Sequence, residues 1–344
     1  MQAAVLHAAR DLRIEDRAAR APGAGEVAVR IRAGGICGSD LHYYQDGGFG
    51  TVRVREPIVL GHEIAGEVAA IGAGVTSVAV GARVAVNPSR ACGACRYCLE
   101  GAAQHCLDMR FFGSAMRMPH VQGGFSEELI CDAAQAVPLP ADMDLTRAAF
   151  AEPLAVCLHA ARQAGDLQGK RVLVTGAGPI GALCVLVARH AGAREIVATD
   201  LADAPLALVR KLGADRTLNL RADAAALDPF AAEKGYFDAV LEASGSAIAL
   251  GGAFAALRPG GTIVQVGIGG AEWKLPINTL VAKEITLRGT FRFHAEFALA
   301  VDLLASRRID PMALLTTVMP LADAVAAFDL AADRGRAMKV QLAL

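Results

Sequence analysis

The sequence has no excess of charge of either sign and no long apolar run. Its 344 residues include 34 Lys and Arg against 35 Asp and Glu. This near-neutral balance gives no electrostatic reason to expect nucleic acid or a membrane surface as a partner. The longest uncharged run, residues 172–188, is slightly short for a membrane span and holds three Gly and a Pro. It is more typical of a strand, a turn and the start of a helix.

The first residues also lack the pattern of a secretory signal peptide. The first residues, MQAAVLHAARDLRIED, reach Arg10 and Asp11 without an apolar segment before a cleavage site. We therefore expect the chain to stay in the reducing cytoplasm. In that compartment, clustered cysteines bind metal more often than they form disulfides.

Half of the eight cysteines lie in one short stretch, ACGACRYCLEGAAQHC, with the spacing C-x2-C-x2-C-x7-C. These are Cys92, Cys95, Cys98 and Cys106. Four thiolates at about 2.3 Å complete a zinc tetrahedron and leave no open position, so the pattern predicts a structural zinc lobe. Disulfides, a redox pair or a nucleic-acid-binding zinc ribbon are the alternatives. The ribbon is disfavoured because the stretch holds only Arg96 as a fixed cation.

A dinucleotide-binding pattern occupies residues 170–200. A short apolar strand is followed by G-x-G-x-x-G, then by apolar residues at helical spacing, and a second strand ends in Asp200. Gly176 allows the tight turn, Gly178 lets the backbone approach a pyrophosphate, and Gly181 lets the helix contact the strand. Asp200 is expected to bind the adenosine ribose and to repel a 2′-phosphate, which favours NAD over NADP. Strand–helix alternation continues beyond this point and predicts a parallel, doubly wound sheet.

Residues 1–150 differ, because short Val-rich strands alternate there with Gly turns and predict a β-rich domain. Cys37 and His62 offer one thiolate and one imidazole ligand. Glu152 is a candidate third ligand and Glu63 a competing one, which would leave a fourth position open for water or substrate. Asp40 is the candidate partner that orients His62. Spacing alone does not establish that these residues converge.

Taken together, these motifs resemble those of the zinc-dependent medium-chain alcohol/polyol dehydrogenases. The sequence carries C-G-S-D at residues 37–40, G-H-E at 61–63, the four-cysteine stretch and the nucleotide fingerprint, in that order. Within the family, the chain most resembles the L-idonate 5-dehydrogenases. The stretches that carry this closer resemblance are 34–45, 108–116, 119–125, 151–172, 232–238 and 287–293.

The resemblance covers essentially the whole chain and implies the α/β fold class. A GroES-like β-rich catalytic domain is expected over 1–153 and 292–344, with the zinc lobe at about 91–106. A doubly wound Rossmann NAD-binding domain is expected over 154–291. One departure loosens the cofactor assignment: polyol dehydrogenases often carry an Arg five residues after the ribose acid, and this chain has Pro205.

The resemblance also implies the reaction and its cofactors. It predicts reversible, zinc-dependent oxidation of a secondary alcohol, with one catalytic and one structural zinc per chain and with NAD, or alternatively NADP, as hydride acceptor. Ser39 and His42 match the family's proton relay, with capping and an exposed helix position as their structural alternatives. Glu152 would coordinate the zinc or orient its water. The expected cofactor-binding residues are Gly176, Gly178, Pro179, Ile180, Gly181, Asp200, Val266, Gly267, Ile268, Phe291 and Arg292.

The substrate is expected to be a small sugar acid, most specifically L-idonate, whose carboxylate an Arg would bind in bidentate fashion. Arg110 and Arg292 are the candidates, and Tyr43 and Phe111 are candidate pocket walls. A sorbitol or xylitol dehydrogenase is the main alternative, and it needs no carboxylate-binding Arg. A zinc-free quinone reductase relative or a non-catalytic NAD-binding protein fits the metal motifs less well. The family resemblance implies a homodimer or homotetramer.

Overall fold

The computed structural model describes residues 1–270 and 272–344, and it divides them into two compact units. Unit 1 comprises Met1–Glu152, Phe297–Arg307 and Leu315–Leu344, and unit 2 comprises Pro153–Glu296 and Arg308–Leu314. The sequence-based boundaries lay at 153/154 and 291/292. In the structure the first boundary lies one residue earlier, at 152/153, and the second lies five residues later, at 296/297. Residues 308–314, which were expected in the catalytic domain, belong to unit 2.

The strands are β1 (Gln2–Ala8), β2 (Asp11–Asp16), β3 (Glu26–Gly35), β4 (Gly48–Phe49), β5 (Val52–Arg53), β6 (Ile58–Val59), β7 (Glu63–Ile71), β8 (Arg83–Val86), β9 (Ser89–Arg90), β10 (Arg110–Phe111), β11 (Glu128–Asp132), β12 (Ala136–Pro138), β13 (Arg171–Thr175), β14 (Glu195–Asp200), β15 (Arg216–Asn219), β16 (Phe237–Glu242), β17 (Leu257–Gln265), β18 (Thr286–Gly289), β19 (Leu315–Pro320) and β20 (Lys339–Ala343). The helices are α1 (Gly38–Asp46), α2 (Arg96–Leu99), α3 (Leu145–Ala148), α4 (Ala151–Ala164), α5 (Pro179–His190), α6 (Asp203–Lys211), α7 (Ala247–Ala256), α8 (Ile277–Ala282), α9 (Glu296–Ala305) and α10 (Ala324–Ala332). Within residues 1–270 and 272–344, no helix is long and apolar enough to cross a membrane.

Unit 1 is built on a seven-stranded sheet in the order β12-β8-β7-β3-β20-β19, with β11 also paired to β3. β3 reads EVAVRIRAGG, and its Val27, Val29 and Ile31 are fully buried because alternate side chains of a strand point to one face. The antiparallel pairing of β3 with β7 sets Gly35 opposite Glu63, and β20 pairs with the same end of β3. This register brings three separate parts of the chain to one end of the sheet.

Unit 2 is a six-stranded parallel sheet in the order β15-β14-β13-β16-β17-β18. Helices α5, α6, α7 and α8 lie between successive strands along the chain. The strand order reverses between β13 and β16, which is the point at which doubly wound sheets bind their ligands. The predicted fold class, a β-rich domain combined with a doubly wound α/β domain, is confirmed.

Candidate metal centres and nucleotide-binding edge

The four clustered cysteines of unit 1 converge. The Sγ atoms of Cys92, Cys95, Cys98 and Cys106 all lie within 4.8 Å of one another, and all eight cysteines of the chain are free. The Cys92 and Cys98 sulfurs are 4.0 Å apart, and those of Cys95 and Cys98 are 3.6 Å apart. Four sulfurs at this separation fit a tetrahedral zinc ion and leave no position for another ligand.

Backbone amides of the same segment point at these sulfurs. The N–H of Cys92 donates to the Cys106 sulfur at 3.1 Å, and the N–H of Cys95 donates to the Cys92 sulfur at 3.3 Å. The backbone N–H groups of Leu107 and Cys98 lower the pKa of the Cys95 thiol to about 6. These donors favour thiolates, which are the form that binds metal.

A second group of potential ligands lies at the end of the sheet where β3 meets β7. One ligand atom from each of Cys37, His62 and Glu63 lies within 4.8 Å of the others. Cys37 precedes α1, directly after β3, and Glu63 begins β7 opposite Gly35. A Cβ atom at Gly35 would lie 2.1 Å from a Glu63 carboxylate oxygen, so only glycine fits beside that carboxylate.

The electrostatics of this group call for a cation. Burial raises the pKa of the Cys37 thiol to about 12, and the charge of Glu63 adds to the rise, so the thiol ionises only against added positive charge. His62 is 5 % exposed, and its Nδ1 atom makes no hydrogen bond within the described part of the chain. The donor set of one sulfur, one nitrogen and one oxygen fits zinc and leaves a fourth coordination position open.

Asp40, the predicted orienting carboxylate, lies beside the group. Its Oδ1 atom lies 3.6 Å from Nδ1 of His62, and its side chain is fully buried. The same carboxylate accepts hydrogen bonds from the backbone N–H groups of Cys37 at 3.0 Å and Gly61 at 3.3 Å. Asp40 therefore connects the segment that carries the cysteine with the segment that carries the histidine.

Sequence reasoning missed Lys339, which begins β20. Its ammonium group is buried, lies 2.6 and 2.5 Å from the two oxygens of Glu63, and donates to the Ile36 carbonyl at 3.0 Å. Burial alone would lower the pKa of Lys339, but the charges of Glu63 and Cys37 outweigh it and raise that pKa. A lysine inside the apolar C-terminal stretch AMKVQLAL was the available signal.

Glu152, the second residue of α4, is 5 % exposed and lies outside the group formed by Cys37, His62 and Glu63. Burial raises the pKa of its carboxyl group to about 8; the positive charge of His62 opposes the rise, and Cys37 and Glu63 add to it. These interactions place Glu152 within electrostatic range of the ligand group. Of the two candidate carboxylates, Glu63 is the one that the structure joins to Cys37 and His62.

The two predicted relay residues lie on α1, three positions apart, so they share one face of the helix. The side chain of Ser39 is partly buried and lies close enough to Cys37 to lower the pKa of its thiol, against the larger rise that burial causes. The imidazole of His42 is half exposed, and its Nδ1 atom lies 3.5 Å from the Asp46 carboxylate. Helix α1 therefore carries one hydroxyl beside the ligand group and one imidazole in solvent.

The predicted pocket residues have different surroundings. The Phe111 ring lies 5.4 Å from that of His62. The Tyr43 hydroxyl is buried and accepts the N–H of Ala115 at 3.1 Å, so it holds a loop in place. Arg110 is exposed and lines a separate surface pocket of about 150 Å³, and its neighbour in β10, Phe111, points to the opposite face of the strand. In unit 2, the guanidinium of Arg292 lies over the ring of Phe291, 4.9 Å from its centroid.

In unit 2, the glycines after β13 form a cradle at the N-terminus of α5. Gly176 has φ +84°, and a Cβ atom there would lie 2.7 Å from the Ser244 Cα. A Cβ atom at Gly181 would lie 1.8 Å from the Gly176 carbonyl oxygen, so helix and turn are in direct contact. A Cβ atom at Gly178 would meet nothing within 4 Å, and Pro179 follows it in the first turn of the helix. This open space before uncapped helical N–H groups fits a pyrophosphate.

Asp200 ends β14 beside this cradle. Its carboxylate accepts hydrogen bonds from the backbone N–H groups of Ala177 at 2.7 Å, Leu201 at 2.7 Å and Ala202 at 3.1 Å. The loop after β17 lies at the same edge of the sheet. A Cβ atom at Gly267 would lie 2.2 Å from the Gly245 nitrogen. The carboxyl ends of β13, β16 and β17 thus carry glycine turns at one edge of the sheet, beside Asp200 at the end of β14.

With this geometry established, the class of protein follows from comparison with known families. The alcohol dehydrogenase GroES-like domain matches residues 23–141, and the zinc-binding dehydrogenase domain matches residues 179–306. The chain belongs to the zinc-dependent medium-chain dehydrogenases and is an oxidoreductase that acts on CH–OH groups of a small molecule with zinc and a nicotinamide dinucleotide.

Among individual relatives, the chain is 48% identical to the L-idonate 5-dehydrogenase (NAD(P)(+)) of Escherichia coli K12, over 91% of this chain and 90% of that protein. The crystal structure of the L-idonate 5-dehydrogenase from E. coli K-12 matches with a TM-score of 0.96 at 45% identity, covering 100% of this chain and 98% of the other. The sorbitol dehydrogenase of Gallus gallus is 36% identical over 99% of this chain and 95% of that protein. The expected family resemblance, enzyme class and cofactors are confirmed.

Proposed function

We propose that this enzyme catalyses the reversible, NAD-linked oxidation of a sugar-acid secondary alcohol, with L-idonate and 5-keto-D-gluconate as the substrate pair. The observation that carries the substrate is the 48% identity to an L-idonate 5-dehydrogenase, against 36% to a sorbitol dehydrogenase. The buried group of Cys37, His62 and Glu63, with its open fourth position, supports the reaction class.

Cys37, His62 and Glu63 are the residues that would hold the catalytic zinc, and Cys92, Cys95, Cys98 and Cys106 would hold the structural zinc. When bound at the first group, zinc supplies a Lewis acid that polarises the substrate hydroxyl and lowers its pKa. Lys339 holds Glu63 in place, and the Asp40 carboxylate faces Nδ1 of His62 across 3.6 Å. Glu152, which is buried and within electrostatic range of these ligands, is proposed to hydrogen-bond the substrate hydroxyl or a water molecule.

The proton of the substrate hydroxyl must leave a buried site. Ser39 is partly buried beside Cys37, and His42 is exposed on the same face of α1. We assign Ser39 as the hydroxyl that passes the proton outward and His42 as the imidazole that exchanges it with solvent. The Asp46 carboxylate lies 3.5 Å from Nδ1 of His42.

The nucleotide is proposed to lie along the edge of unit 2 described above, with its pyrophosphate at Gly176, Gly178, Pro179, Ile180 and Gly181. Asp200 would exchange its backbone partners for the adenosine ribose hydroxyls, and its charge disfavours a 2′-phosphate. Because position 205 is a proline and not an arginine, the preference for NAD over NADP is assigned to Asp200 alone. The remaining proposed contacts are Val266, Gly267, Ile268, Phe291 and Arg292.

For the substrate carboxylate, Arg292 is the favoured residue, because Arg110 lies on the face of β10 opposite Phe111 and faces a different pocket. Tyr43 keeps a supporting role through Ala115, and Phe111 is proposed as a wall of the pocket beside His62. We also propose that the enzyme is a cytoplasmic homodimer or homotetramer. Within residues 1–270 and 272–344, β18 is a terminal strand of its sheet, and an edge strand of this kind supports self-association.

The test is NADH-linked reduction of 5-keto-D-gluconate, run beside fructose and xylulose, with and without a chelator. Preference for the keto acid, lost on chelation, supports the proposal, and R292A then raises KM for the keto acid while R110A, the matched control, does not. Preference for the neutral sugars in the presence of zinc would reassign the enzyme to the sorbitol-dehydrogenase branch, which its 36% relative represents.

A further inference from the structure

Glu242, the last residue of β16, is a fully buried carboxylate that the proposed reaction does not use. It lies at the carboxyl edge of the parallel sheet of unit 2, on the strand next to β13, where the strand order reverses. A buried carboxylate is costly unless donors satisfy its oxygens, so its partners indicate what it does.

Five donors reach this carboxylate, and all are neutral. One oxygen accepts hydrogen bonds from the Thr175 hydroxyl at 3.2 Å, from the Ser244 N–H at 2.9 Å and from the Ser244 hydroxyl. The other oxygen accepts from the Gly245 N–H at 3.2 Å and from the Gln265 side-chain amide. The donors belong to β13, to the loop after β16 and to β17, so a single acceptor connects three adjacent strands at the end where they meet the nucleotide.

Backbone hydrogen bonds repeat the connection. The Ala243 N–H donates to the Thr175 carbonyl, and the Gly267 N–H donates to the Glu242 carbonyl, each at 2.8 Å. The Gln265 amide that bonds the carboxylate also donates to the Gly267 carbonyl at 2.8 Å. The side chain of Glu242 and the loop that contains Gly267 are therefore linked through one amide group.

The loops held by Glu242 contact one another without spare room. The Gly176 turn lies against the backbone of Ser244, and Gly267 lies against Gly245, with no space for a Cβ atom at either glycine. A shift of Ser244 or Gly245 therefore displaces the Gly176 turn on one side and the Gly267 loop on the other.

We propose that Glu242 is the positioning residue of the nucleotide site: its carboxylate sets the relative placement of the Gly176 turn and the Gly267 loop, and so the affinity for the dinucleotide. The inference rests on the proposed nucleotide site and adds to it a residue that touches no reacting atom. Glu242 acts through Ser244, Gly245 and Gln265.

The informative variant is E242Q. It keeps the shape of the side chain but replaces one carboxylate oxygen, an acceptor, with an NH2 group, a donor. The groups around this position are all donors, so the new NH2 group finds no acceptor there. Gln265 can respond, because its Oε1 atom has no hydrogen-bond partner in the described residues and can turn to accept from the new amide. That turn removes the bond from Gln265 to the Gly267 carbonyl. The fold is retained while the loop spacing changes.

Direct titration of NADH fluorescence measures the effect without chemistry. We expect E242Q to raise the Kd for NADH about tenfold, the loss associated with one hydrogen bond to a charged group. In turnover assays the KM for NADH should rise while the kcat at saturating NADH and the KM for the second substrate stay near wild-type values. A merely structural defect would lower the active fraction and leave that KM unchanged.

The matched control is E195Q. Glu195 begins β14 at the opposite edge of the same sheet and accepts the Tyr236 hydroxyl at 2.5 Å. E195Q should lower Tm and leave the Kd for NADH unchanged. An unchanged Kd in E242Q, or an equal rise in both variants, would overturn the inference. If wild type itself fails to bind NADH, the proposed nucleotide site is wrong instead.

Should E242Q fold poorly, S244A decides the question. It removes one donor to Glu242 and leaves the carboxylate in place. A smaller rise in Kd, about two- to fivefold, supports the inference, and a Kd equal to that of wild type overturns it.

Discussion

The two cysteine-containing ligand groups of unit 1 differ in how the chain assembles them. The lobe takes all four sulfurs from residues 92–106, within a few turns of backbone. The second group takes Cys37 from the start of α1, just after β3, and it takes His62 and Glu63 from the point where β7 begins. It depends on the pairing of Gly35 with Glu63. The four-cysteine lobe is a local structure, whereas the Cys37, His62 and Glu63 group forms only when β3 and β7 pair in this register. The spacing of residues in the sequence therefore specifies only the lobe.

Their electrostatics differ as well. At the lobe, four thiolates would leave a bound zinc ion with a net negative environment, stabilised by backbone N–H donors. At the second group, one thiolate and one carboxylate balance the metal, and the buried ammonium of Lys339 and the buried carboxylate of Asp40 lie beside them with opposite charges. A closed anionic centre suits a structural role, and an open centre without net negative charge suits binding of a substrate oxygen as it gains negative charge.

The largest effect expected from this contrast is that of H62A. Removing the imidazole should empty the open group and lower turnover by at least about a thousandfold, because several kcal/mol of charge stabilisation are lost. Zinc content, measured by mass spectrometry of the metal, should fall by one ion per chain while circular dichroism is unchanged. Retention of a tenth of the activity, or of both metals, would contradict the assignment of the open group.

K339M should come next, and its effect should depend on the metal. Without Lys339 the buried Glu63 carboxylate has no cation in the zinc-free protein, which should cost about 3–5 kcal/mol of unfolding free energy. Zinc supplies the missing charge, so the loaded protein should lose much less.

Urea unfolding with and without chelator measures the difference. The control is K283M, because Lys283 donates to carbonyls at the end of α7 in unit 2. K283M should destabilise both forms equally. A zinc-independent loss in K339M would show that Lys339 does not offset the charge of Glu63.

C95S tests the lobe. A hydroxyl does not replace the thiolate, so the lobe should lose its zinc and the protein several kcal/mol of stability, while activity per folded molecule stays near wild type. The measurements are zinc content, Tm and turnover corrected for the folded fraction. C131S is the control, since Cys131 is buried in the core of the same unit, outside both groups. A loss of turnover in the folded fraction of C95S would give the lobe a direct part in catalysis.

The contrast between the two groups also explains what could be predicted from the sequence. The four-cysteine spacing and the G-x-G-x-x-G fingerprint are local, and each predicted its own structure. The choice between Glu63 and Glu152 could not be made, because it depends on which carboxylate the β3–β7 register places beside Cys37. Lys339 was missed because β20 reaches β3 from 300 residues further along the chain. Arg110 and Phe111 are adjacent in sequence, and only the strand geometry separates their surroundings.

D40N should give the smallest and most selective effect. The substitution keeps the size of the buried side chain but removes the charge that faces Nδ1 of His62 across 3.6 Å. Loss of such an orienting carboxylate typically lowers metal affinity about 10- to 100-fold. Competition with a coloured chelator should therefore show weaker zinc binding at the open group and unchanged binding at the lobe. D46N is the control, because Asp46 lies on the same helix and is exposed. Equal weakening of zinc binding at both centres would mean that Asp40 stabilises unit 1 as a whole. D40N would then not distinguish the lobe, whose ligands are close in sequence, from the open group, whose ligands depend on the β3–β7 register.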